Sequence, residues 1–268
     1  RAIIQKLKKY NCRIIVYSRD EGKQALYFGH DKSIIRVIGD IRDYNQLSKT
    51  FRLHKPNYVI HTAALKRIDD MEYYPEECVK TNIQGSINVA NTDYNSNHTI
   101  FSSVRYGNVI ASRGSFIPLW LNLLSEGKDI IVTSLECTRF LFTLEDAVNT
   151  VLSSLINSIG GEVFIPYFDS FDMDTIIKSL SIKIDKPINY NTIGMRPGEK
   201  FHEDMIAKTE LPFTYQSKFL DGFTTDHCSK LLCVIPQYTH KKYNLKKYDG
   251  PEFNSGIFLN KKGLEDAN

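Results

Sequence analysis

The 268-residue sequence lacks an apolar run long enough to cross a membrane, and its cysteines are few. Its best apolar stretch, residues 116–124, contains Pro118 and Asn122 and falls far short of the roughly 20 residues that a membrane-spanning helix needs. No secretory signal opens the sequence, and the five cysteines are scattered and odd in number, which disfavours a disulfide framework. We therefore expect a reduced, cytoplasmic protein with no membrane partner.

Blocks of one charge sign are also missing. The 34 Lys and Arg residues nearly balance the 31 Asp and Glu residues, which leaves a net charge of +3 and no argument for a nucleic-acid partner. Hydrophobic residues make up 42% of the chain and aromatic residues 12%, which excludes a disordered protein. The length fits one large domain, or one domain with a smaller lobe.

Strand-like and helix-like segments alternate through the first half of the sequence. Short β-branched runs predict strands, and apolar residues at helical spacing predict the helices between them. The predicted strands cover residues 13–17, 33–38, 58–61, 99–104, 129–132 and 163–165. The predicted helices cover residues 2–10, 21–26, 44–53, 75–91, 116–126 and 144–156. This alternation predicts an α/β fold, a Rossmann-like parallel sheet with helices on both faces.

Ligands bind beyond the carboxyl ends of the strands in such a sheet, so the residues that follow each strand are the candidates. Arg19, beside Ser18, suits the 2′-phosphate of NADP, but taken alone this segment is explained more simply as a polar turn that ends the strand. Asp40 can accept a hydrogen bond from the adenine amino group, or it is an ordinary turn residue. After the strand at 58–61, Ala63 and Ala64 allow a cofactor to approach closely, and Lys66 reaches a phosphate or a sugar. The alternative is helix-start packing beside a solvated lysine.

Two further turns carry polar side chains. Asn108 ends the segment 105–108 and can bind a substrate oxygen. Arg196 and Glu199 flank Pro197-Gly198, where Arg196 can clamp a diphosphate and Glu199 can accept from a sugar hydroxyl. Both segments are also explained as turns with solvated charges. We expect no metal site, because the Cys and His residues do not have the spacing of zinc ligands.

Taken in order, these segments resemble the extended short-chain dehydrogenase/reductases of polysaccharide biosynthesis. They are most similar to the inverting UDP-N-acetylglucosamine 4,6-dehydratases and their CapD-like relatives. The stretches that carry the resemblance are residues 14–21, 38–43, 61–66, 80–85, 104–109, 112–115, 138–140, 195–200, 202–203 and 253–256.

The resemblance implies a Rossmann domain over residues 1–165 that binds NADP, and a smaller C-terminal substrate lobe over residues 166–268, with some of the chain crossing back. It implies that the cofactor is bound by Ser18, Arg19, Lys23, Asp40, Ile41, Ala63, Ala64 and Lys66. It implies that the nucleotide sugar is bound by Lys66, Asn108, Arg196 and Glu199.

The reaction that the resemblance implies is an internal redox dehydration. NADP takes a hydride from C4 of the sugar, water leaves across C5 and C6, and the hydride returns to C6, so that the product is a 4-keto-6-deoxy sugar nucleotide with C5 inverted. The expected partners are a UDP-linked hexose and further copies of the same chain. A different interpretation is an epimerase or reductase of the same superfamily.

Two parts of the family pattern have no counterpart in the sequence. No Gly-rich pyrophosphate turn occurs, and Arg1 falls where the helix after that turn would already be running. A segment of roughly 35–45 residues with the Tyr-x-x-x-Lys pair is also absent near residues 91–98, enough for a strand and a long helix. Tyr94 has no Lys four residues on, so we assign no catalytic residue. The alternative to a dehydratase is therefore an inactive or truncated paralogue that binds a nucleotide sugar or acts as a structural subunit.

Overall fold

The structure, a computed structural model, describes the chain in five stretches, and the chain forms two compact units. The described residues are 1–92, 99–112, 114–225, 228–236 and 244–260. The first unit comprises Arg1–Thr99 and the second Ile100–Asn268. The boundary predicted at residue 165 separates a cofactor-binding domain from a substrate-binding lobe. This assignment of binding roles stays a prediction. Within the described part of the chain, no helix is both long enough and apolar enough to span a bilayer.

The first unit contains two parallel strands with helices around them. Its strands are β1 (Ile14–Ser18) and β2 (Ile34–Ile38), and its first helices are α1 (Ala2–Leu7), α2 (Glu21–Phe28) and α3 (Tyr44–His54). β1 and β2 pair in register from Ile14 with Ile34 to Ser18 with Ile38. The side chains of Asp20 and Asp43 accept hydrogen bonds from backbone N–H groups in the first turns of α2 and α3. Each helix therefore begins at an acidic cap directly after the turn that ends a strand.

The strand predicted at residues 58–61 is not formed, and that prediction was wrong. The segment from residue 55 to residue 67 contains no regular structure, and Tyr58 and Val59 are 65% and 45% exposed. A parallel strand is stable when neighbours pair with its backbone and helices cover its faces. β1 pairs with β2 alone among the described residues, so residues 58–61 have no ladder to join.

The helix predicted at residues 75–91 is present, with an irregular middle. It follows α4 (Ile68–Tyr73) and consists of α5 (Pro75–Cys78), a π-helical stretch (Val79–Gln84) and α6 (Gly85–Asn91). Pro75 stands at the first helical position, where its missing N–H costs nothing. π-helical turns inside α-helices frequently mark functional sites. Here the irregular stretch contains Asn82, whose contacts are described below.

The second unit contains several small sheets. Its strands are β3 (Ser103–Val104), β4 (Asn108–Val109), β5 (Ile130–Val132), β6 (Thr138–Phe142), β7 (Val163–Tyr167), β8 (Ser170–Asp172), β9 (Tyr190–Thr192), β10 (Asp204–Ile206), β11 (Thr214–Ser217), β12 (Lys230–Val234) and β13 (Phe253–Asn254). Its helices are α7 (Phe116–Ser125), α8 (Leu144–Asn157), α9 (Met173–Ile184) and a 3₁₀ turn (Leu211–Phe213). The largest sheet has the order β11-β12-β7-β3, and a second has the order β4-β6-β8. The parallel pairs β3·β7, β4·β6 and β5·β9 confirm an α/β architecture.

Two elements of this unit differ from the sequence predictions. The strand predicted at 99–104 is reduced to β3, which has β7 as its partner. The helix α9 was not predicted. Its signals are present nevertheless, because Asp172 caps it by accepting from Thr175 N, and Ile176 and Ile177 face a core around Trp120. A second core is rich in aromatic side chains, with Phe140, Phe142, Phe168 and Phe253 in mutual contact.

Candidate functional site

The carboxyl end of β1 carries the residues predicted to hold the adenosine phosphate. Arg19 extends from this end, and its side chain is 53% exposed. Lys23, one turn into α2, forms an ion pair with the capping residue Asp20. Gln24 was not predicted, yet it is buried and its amide donates to Ser18 O at 3.1 Å, Ser18 Oγ at 3.1 Å and Val37 O at 3.0 Å. The amide therefore ties together the ends of β1 and β2.

Asp40 follows β2 and is already engaged with two arginines. Its Oδ1 accepts from Arg42 N at 3.0 Å, and its Oδ2 accepts from Arg42 Nε and Nη2 at 3.0 and 2.8 Å. Arg19 Nη1 lies 3.4 Å from the same Oδ2. Burial disfavours the ionised carboxyl, but the hydrogen bonds and charge of Arg42 outweigh it and lower the pKa of Asp40. Oδ1 retains acceptor capacity for an adenine amino group, whereas Oδ2 is occupied.

Ile41 is buried beneath the long helix. A Cβ added at Gly85 would lie 2.5 Å from Ile41 Cδ1, so the absence of a side chain at Gly85 permits this contact. The amide of Asn88, one turn further on, donates to the carbonyl oxygens of Ile41 and Arg42 at 2.9 and 3.1 Å. Ile41 is thus fixed by the helix rather than presented on the surface, with 9% of the residue exposed.

The segment that contains Ala63, Ala64 and Lys66 is exposed and contacts the long helix at two points. His61 Nε2 lies 3.0 Å from Ser86 Oγ, and Leu65 is held by Asn82. Asn82 Oδ1 accepts from Leu65 N at 2.7 Å, and Asn82 Nδ2 donates to Leu65 O at 2.8 Å. The amide thus satisfies both backbone groups of Leu65, as a neighbouring strand would. An open cleft of about 380 Å³ lies here, lined by Leu65, Lys66, Met71, Glu72, Cys78 and Asn82.

In the second unit, Asn108 faces a carboxylate. In the amide orientation that satisfies both partners, Asn108 Nδ2 donates to the two carboxylate oxygens of Glu203 at 3.2 and 3.3 Å. Glu203 Oε2 also accepts from Phe140 N at 3.3 Å. Burial raises the pKa of the Glu203 carboxyl above its ordinary value, and the charge of Arg139 and the Phe140 N–H oppose that shift.

Arg139 joins this carboxylate to a second one. Its side chain is 13% exposed, and its guanidinium lies 3.8 Å from Glu203 Oε1 and 3.2 Å from Glu199 Oε1. It also donates to Thr138 O at 2.8 Å. A guanidinium presents five N–H donors in a rigid plane, so it can hold two carboxylates and a carbonyl in fixed positions.

Glu199 is anchored from three sides. Its Oε1 accepts from Arg139 and from Thr133 Oγ1, the latter at 3.0 Å, and its Oε2 accepts from Arg196 N at 3.3 Å. The structure therefore connects Asn108, Glu199 and the backbone N–H of Arg196, the predicted nucleotide-sugar residues of this unit, through hydrogen bonds and the ion pair between Arg139 and Glu203. We name this network of Asn108, Arg139, Arg196, Glu199 and Glu203 the carboxylate network.

The sequence interpretation did not assign roles to Arg139 and Glu203. Both lie in stretches that carry the family resemblance, 138–140 and 202–203. Their place in these stretches is the sequence signal that could have indicated a functional role. Lys66 belongs to the first unit, whereas the carboxylate network belongs to the second. Tyr94, and Arg113 of the stretch 112–115 that carries the resemblance, lie outside the described residues.

Comparison with known proteins gives three findings. The sequence model of a family described as "Polysaccharide biosynthesis protein" matches residues 1–97 and 89–220. An inverting UDP-N-acetylglucosamine 4,6-dehydratase of Campylobacter jejuni is 36% identical, over 76% of this chain and 72% of that enzyme. The X-ray structure of Pen from Bacillus thuringiensis superposes with a TM-score of 0.82 at 25% identity and covers 99% of this chain and 92% of its own. The Thermus thermophilus UDP-glucose 4-epimerase complex with NAD shares the fold, with a TM-score of 0.62 at 14% identity over 74% and 83% of the two chains.

The alignment with the C. jejuni enzyme also contains positions that this chain does not match. The alignment with the C. jejuni enzyme has 248 positions, whereas 76% of this chain is about 204 residues, so about 44 positions have no counterpart here. The two matched stretches of the family model overlap at residues 89–97, close to residues 91–98, where the resemblance predicts that the Tyr-x-x-x-Lys segment is missing. The position of the missing segment stays a prediction. The chain belongs to the polysaccharide biosynthesis protein family, within the short-chain dehydrogenase/reductases that its sequence resembles.

Proposed function

We propose that this chain is a nucleotide-sugar 4,6-dehydratase that uses NADP and acts on UDP-N-acetylglucosamine in polysaccharide biosynthesis. The observation that carries the proposal is the carboxylate network, which joins Asn108, Arg196 and Glu199, the residues that the resemblance assigns to the nucleotide sugar. The identity of 36% with the C. jejuni dehydratase supports the same substrate class. The scattered free cysteines favour a cytoplasmic setting.

Each member of the network suits one part of a UDP-linked hexose. Arg196 lies in an exposed turn whose shape depends on Gly198, with φ at 75°. A guanidinium in such a turn can bind a diphosphate through two parallel N–H···O bonds. The carboxylate of Glu199, anchored by Arg139 and Thr133, can accept a hydrogen bond from a sugar hydroxyl.

The first unit suits the adenosine end of NADP. Arg19 is half exposed at the end of β1, and its contact with Asp40 at 3.4 Å leaves most of its N–H groups available to a 2′-phosphate. Arg42 also binds the Asp40 carboxylate, with Nη2 2.8 Å from Oδ2, which reduces the repulsion that this carboxylate would exert on a phosphate. A bound nicotinamide supplies the hydride acceptor and donor that the reaction needs. The backbone turn that holds the pyrophosphate in the family has no counterpart in this sequence.

A second candidate function is nucleotide-sugar binding without catalysis. About 44 aligned positions of the C. jejuni enzyme have no counterpart here, and the resemblance predicts that the absent segment near residues 91–98 is the one with the family's Tyr-x-x-x-Lys pair. A tyrosine needs a nearby cation to lower its pKa from about 10 towards neutral pH. Without that pair the chain would bind both ligands and lack its acid–base group.

One experiment separates these candidates. The purified chain is incubated with UDP-N-acetylglucosamine and NADP, and mass spectrometry follows the loss of one water molecule from the sugar nucleotide, with the C. jejuni enzyme as positive control. The dehydratase proposal predicts a 4-keto-6-deoxy product. Saturable binding without product would establish the non-catalytic alternative. A C4 epimer as the sole product would make the chain an epimerase and overturn the proposal.

The choice of NADP rests on Arg19 and is tested separately. We expect Arg19→Ala to weaken NADP binding about tenfold, the order of one charge-assisted hydrogen bond, and to leave NAD binding unchanged. Arg52→Ala, which removes an exposed arginine on α3, is the matched control. Isothermal titration calorimetry gives both affinities. An equal loss for NAD and NADP would show that Arg19 does not contact a 2′-phosphate.

A further inference from the structure

We infer that Glu203 is a positioning residue that fixes the side-chain amide of Asn108 for the nucleotide sugar. This inference rests on the proposed function and deepens it, because neither the sequence nor the family resemblance gives Glu203 a role. The supporting contact is the pair of Asn108 Nδ2 to Glu203 carboxylate distances, 3.2 and 3.3 Å. A carboxylate is an acceptor with no proton to donate, so it selects the nitrogen end of the amide.

The orientation of the Asn108 amide determines whether a ligand meets its oxygen, which accepts a hydrogen bond, or its nitrogen, which donates one. An asparagine that is free to turn about its last bond offers either its oxygen or its nitrogen at a given point. With its nitrogen held by the two oxygens of Glu203, the amide of Asn108 has one orientation, so the direction of its carbonyl oxygen is fixed as well. Asn108 is then preorganised to accept from a donor group of the ligand, at no rotational cost on binding.

Glu203 can perform this role because its own position is determined by groups on several elements. Phe140 N of β6 donates to its carboxylate at 3.3 Å, and the guanidinium of Arg139 lies 3.8 Å away. Its backbone N–H donates to Ser255 Oγ at 2.7 Å, and its backbone oxygen accepts from Ser255 N at 2.9 Å. Ser255 is fully buried, so the residue is held on its backbone side as well as on its side chain.

The test is a double-mutant cycle between the two residues, read as affinity for UDP-N-acetylglucosamine. We expect Asn108→Ala to weaken binding about tenfold and Glu203→Gln to weaken it about three- to tenfold, because a glutamine can present either of its ends to the amide. In the Asn108→Ala background, Glu203→Gln should have less than about a twofold effect. Glu136→Gln, an exposed carboxylate of the same unit, is the matched control and should bind like the wild type.

A second measurement needs no ligand. The side-chain amide of Asn108 is assigned in a ¹H–¹⁵N spectrum by its loss in Asn108→Ala. Glu203→Gln should shift that resonance and speed the exchange of its protons with water, and Glu136→Gln should do neither. An unmoved Asn108 resonance in Glu203→Gln overturns the inference.

The outcomes separate the inference from the proposed function. Equal losses of affinity for Glu203→Gln in the wild-type and Asn108→Ala backgrounds would show that Glu203 acts independently of Asn108, and would overturn the inference while the proposed function stands. A wild-type chain that binds no UDP-N-acetylglucosamine would refute the proposed function. In that case the test of the contact between Glu203 and Asn108 would be the ¹H–¹⁵N measurement, which needs no ligand.

Discussion

Asn82 is predicted to hold the segment that contains Ala63, Ala64 and Lys66 against the long helix. The perturbation is Asn82→Ala, which deletes the amide and leaves the helix intact, since alanine has the highest helix propensity. The amide makes two hydrogen bonds to Leu65, with lengths of 2.7 and 2.8 Å. Leu65 is in an irregular segment and has no ladder partner among the described residues, so these bonds hold its backbone to the long helix. The segment's other contact with that helix is His61 Nε2 to Ser86 Oγ at 3.0 Å, four residues away.

The magnitude follows from the two bonds. A typical intramolecular hydrogen bond contributes about 0.5–1.5 kcal/mol net, so the pair contributes about 1–3 kcal/mol to keeping the segment in place. At about 1.4 kcal/mol per factor of ten, local opening should become about 5- to 150-fold more frequent in Asn82→Ala. The free energy of global unfolding should fall by no more than the same amount, because the segment can detach while the rest of the unit stays folded.

Hydrogen–deuterium exchange measures local opening directly. The Leu65 amide should exchange faster in Asn82→Ala by the factor just given, while the amides of β1 and β2 keep their wild-type rates. Asn45→Ala, which removes an exposed amide on α3, is the matched control and should leave every rate unchanged. A wild-type exchange rate at Leu65 in Asn82→Ala would refute the role assigned to Asn82.

Two further predictions concern packing and cysteine reactivity. Gly85→Ala should destabilise the protein by about 1–3 kcal/mol, measured by urea unfolding, because the new methyl group would lie 2.5 Å from Ile41 Cδ1 and must displace it; an unchanged midpoint would contradict that contact. Exposed Cys12 should react with iodoacetamide at pH 8 in the native protein, whereas burial raises the pKa of Cys228 and Cys233 to about 12 and keeps them protonated. Cys228 and Cys233 should be labelled only in denaturant, as measured by peptide mass spectrometry. Equal labelling of all three cysteines in the native protein would contradict this prediction.

The elements that could be predicted from sequence are those with local signals. Asp20 and Asp43 cap α2 and α3 where the turn after a strand meets the first helical residue, and Thr143 with Asp146 forms a capping box at the start of α8. Such signals need a few neighbouring residues and no tertiary partner. They were sufficient for the first two strands and most helices.

Residues 58–61 show the limit of local signals. The apolar run at Tyr58–Ile60 has the composition of a buried parallel strand, but a strand is completed by its neighbours, and the described residues provide none beside it. The candidate site shows the same limit. Asn108 and Glu199 could be chosen from turn positions and family stretches, whereas the link between them through Arg139 and Glu203 joins residues up to 95 positions apart, and only the fold reveals it.

The central claim is that this chain binds NADP and a UDP-linked hexose, and its most direct test is calorimetric titration of UDP-N-acetylglucosamine into the purified chain with NADP in excess. The account predicts saturable binding at one site per chain, weakened about tenfold or more by Arg196→Ala through loss of the diphosphate contact. An absence of binding heat at every accessible concentration, in a protein whose circular dichroism and thermal transition show that it is folded, would contradict the account.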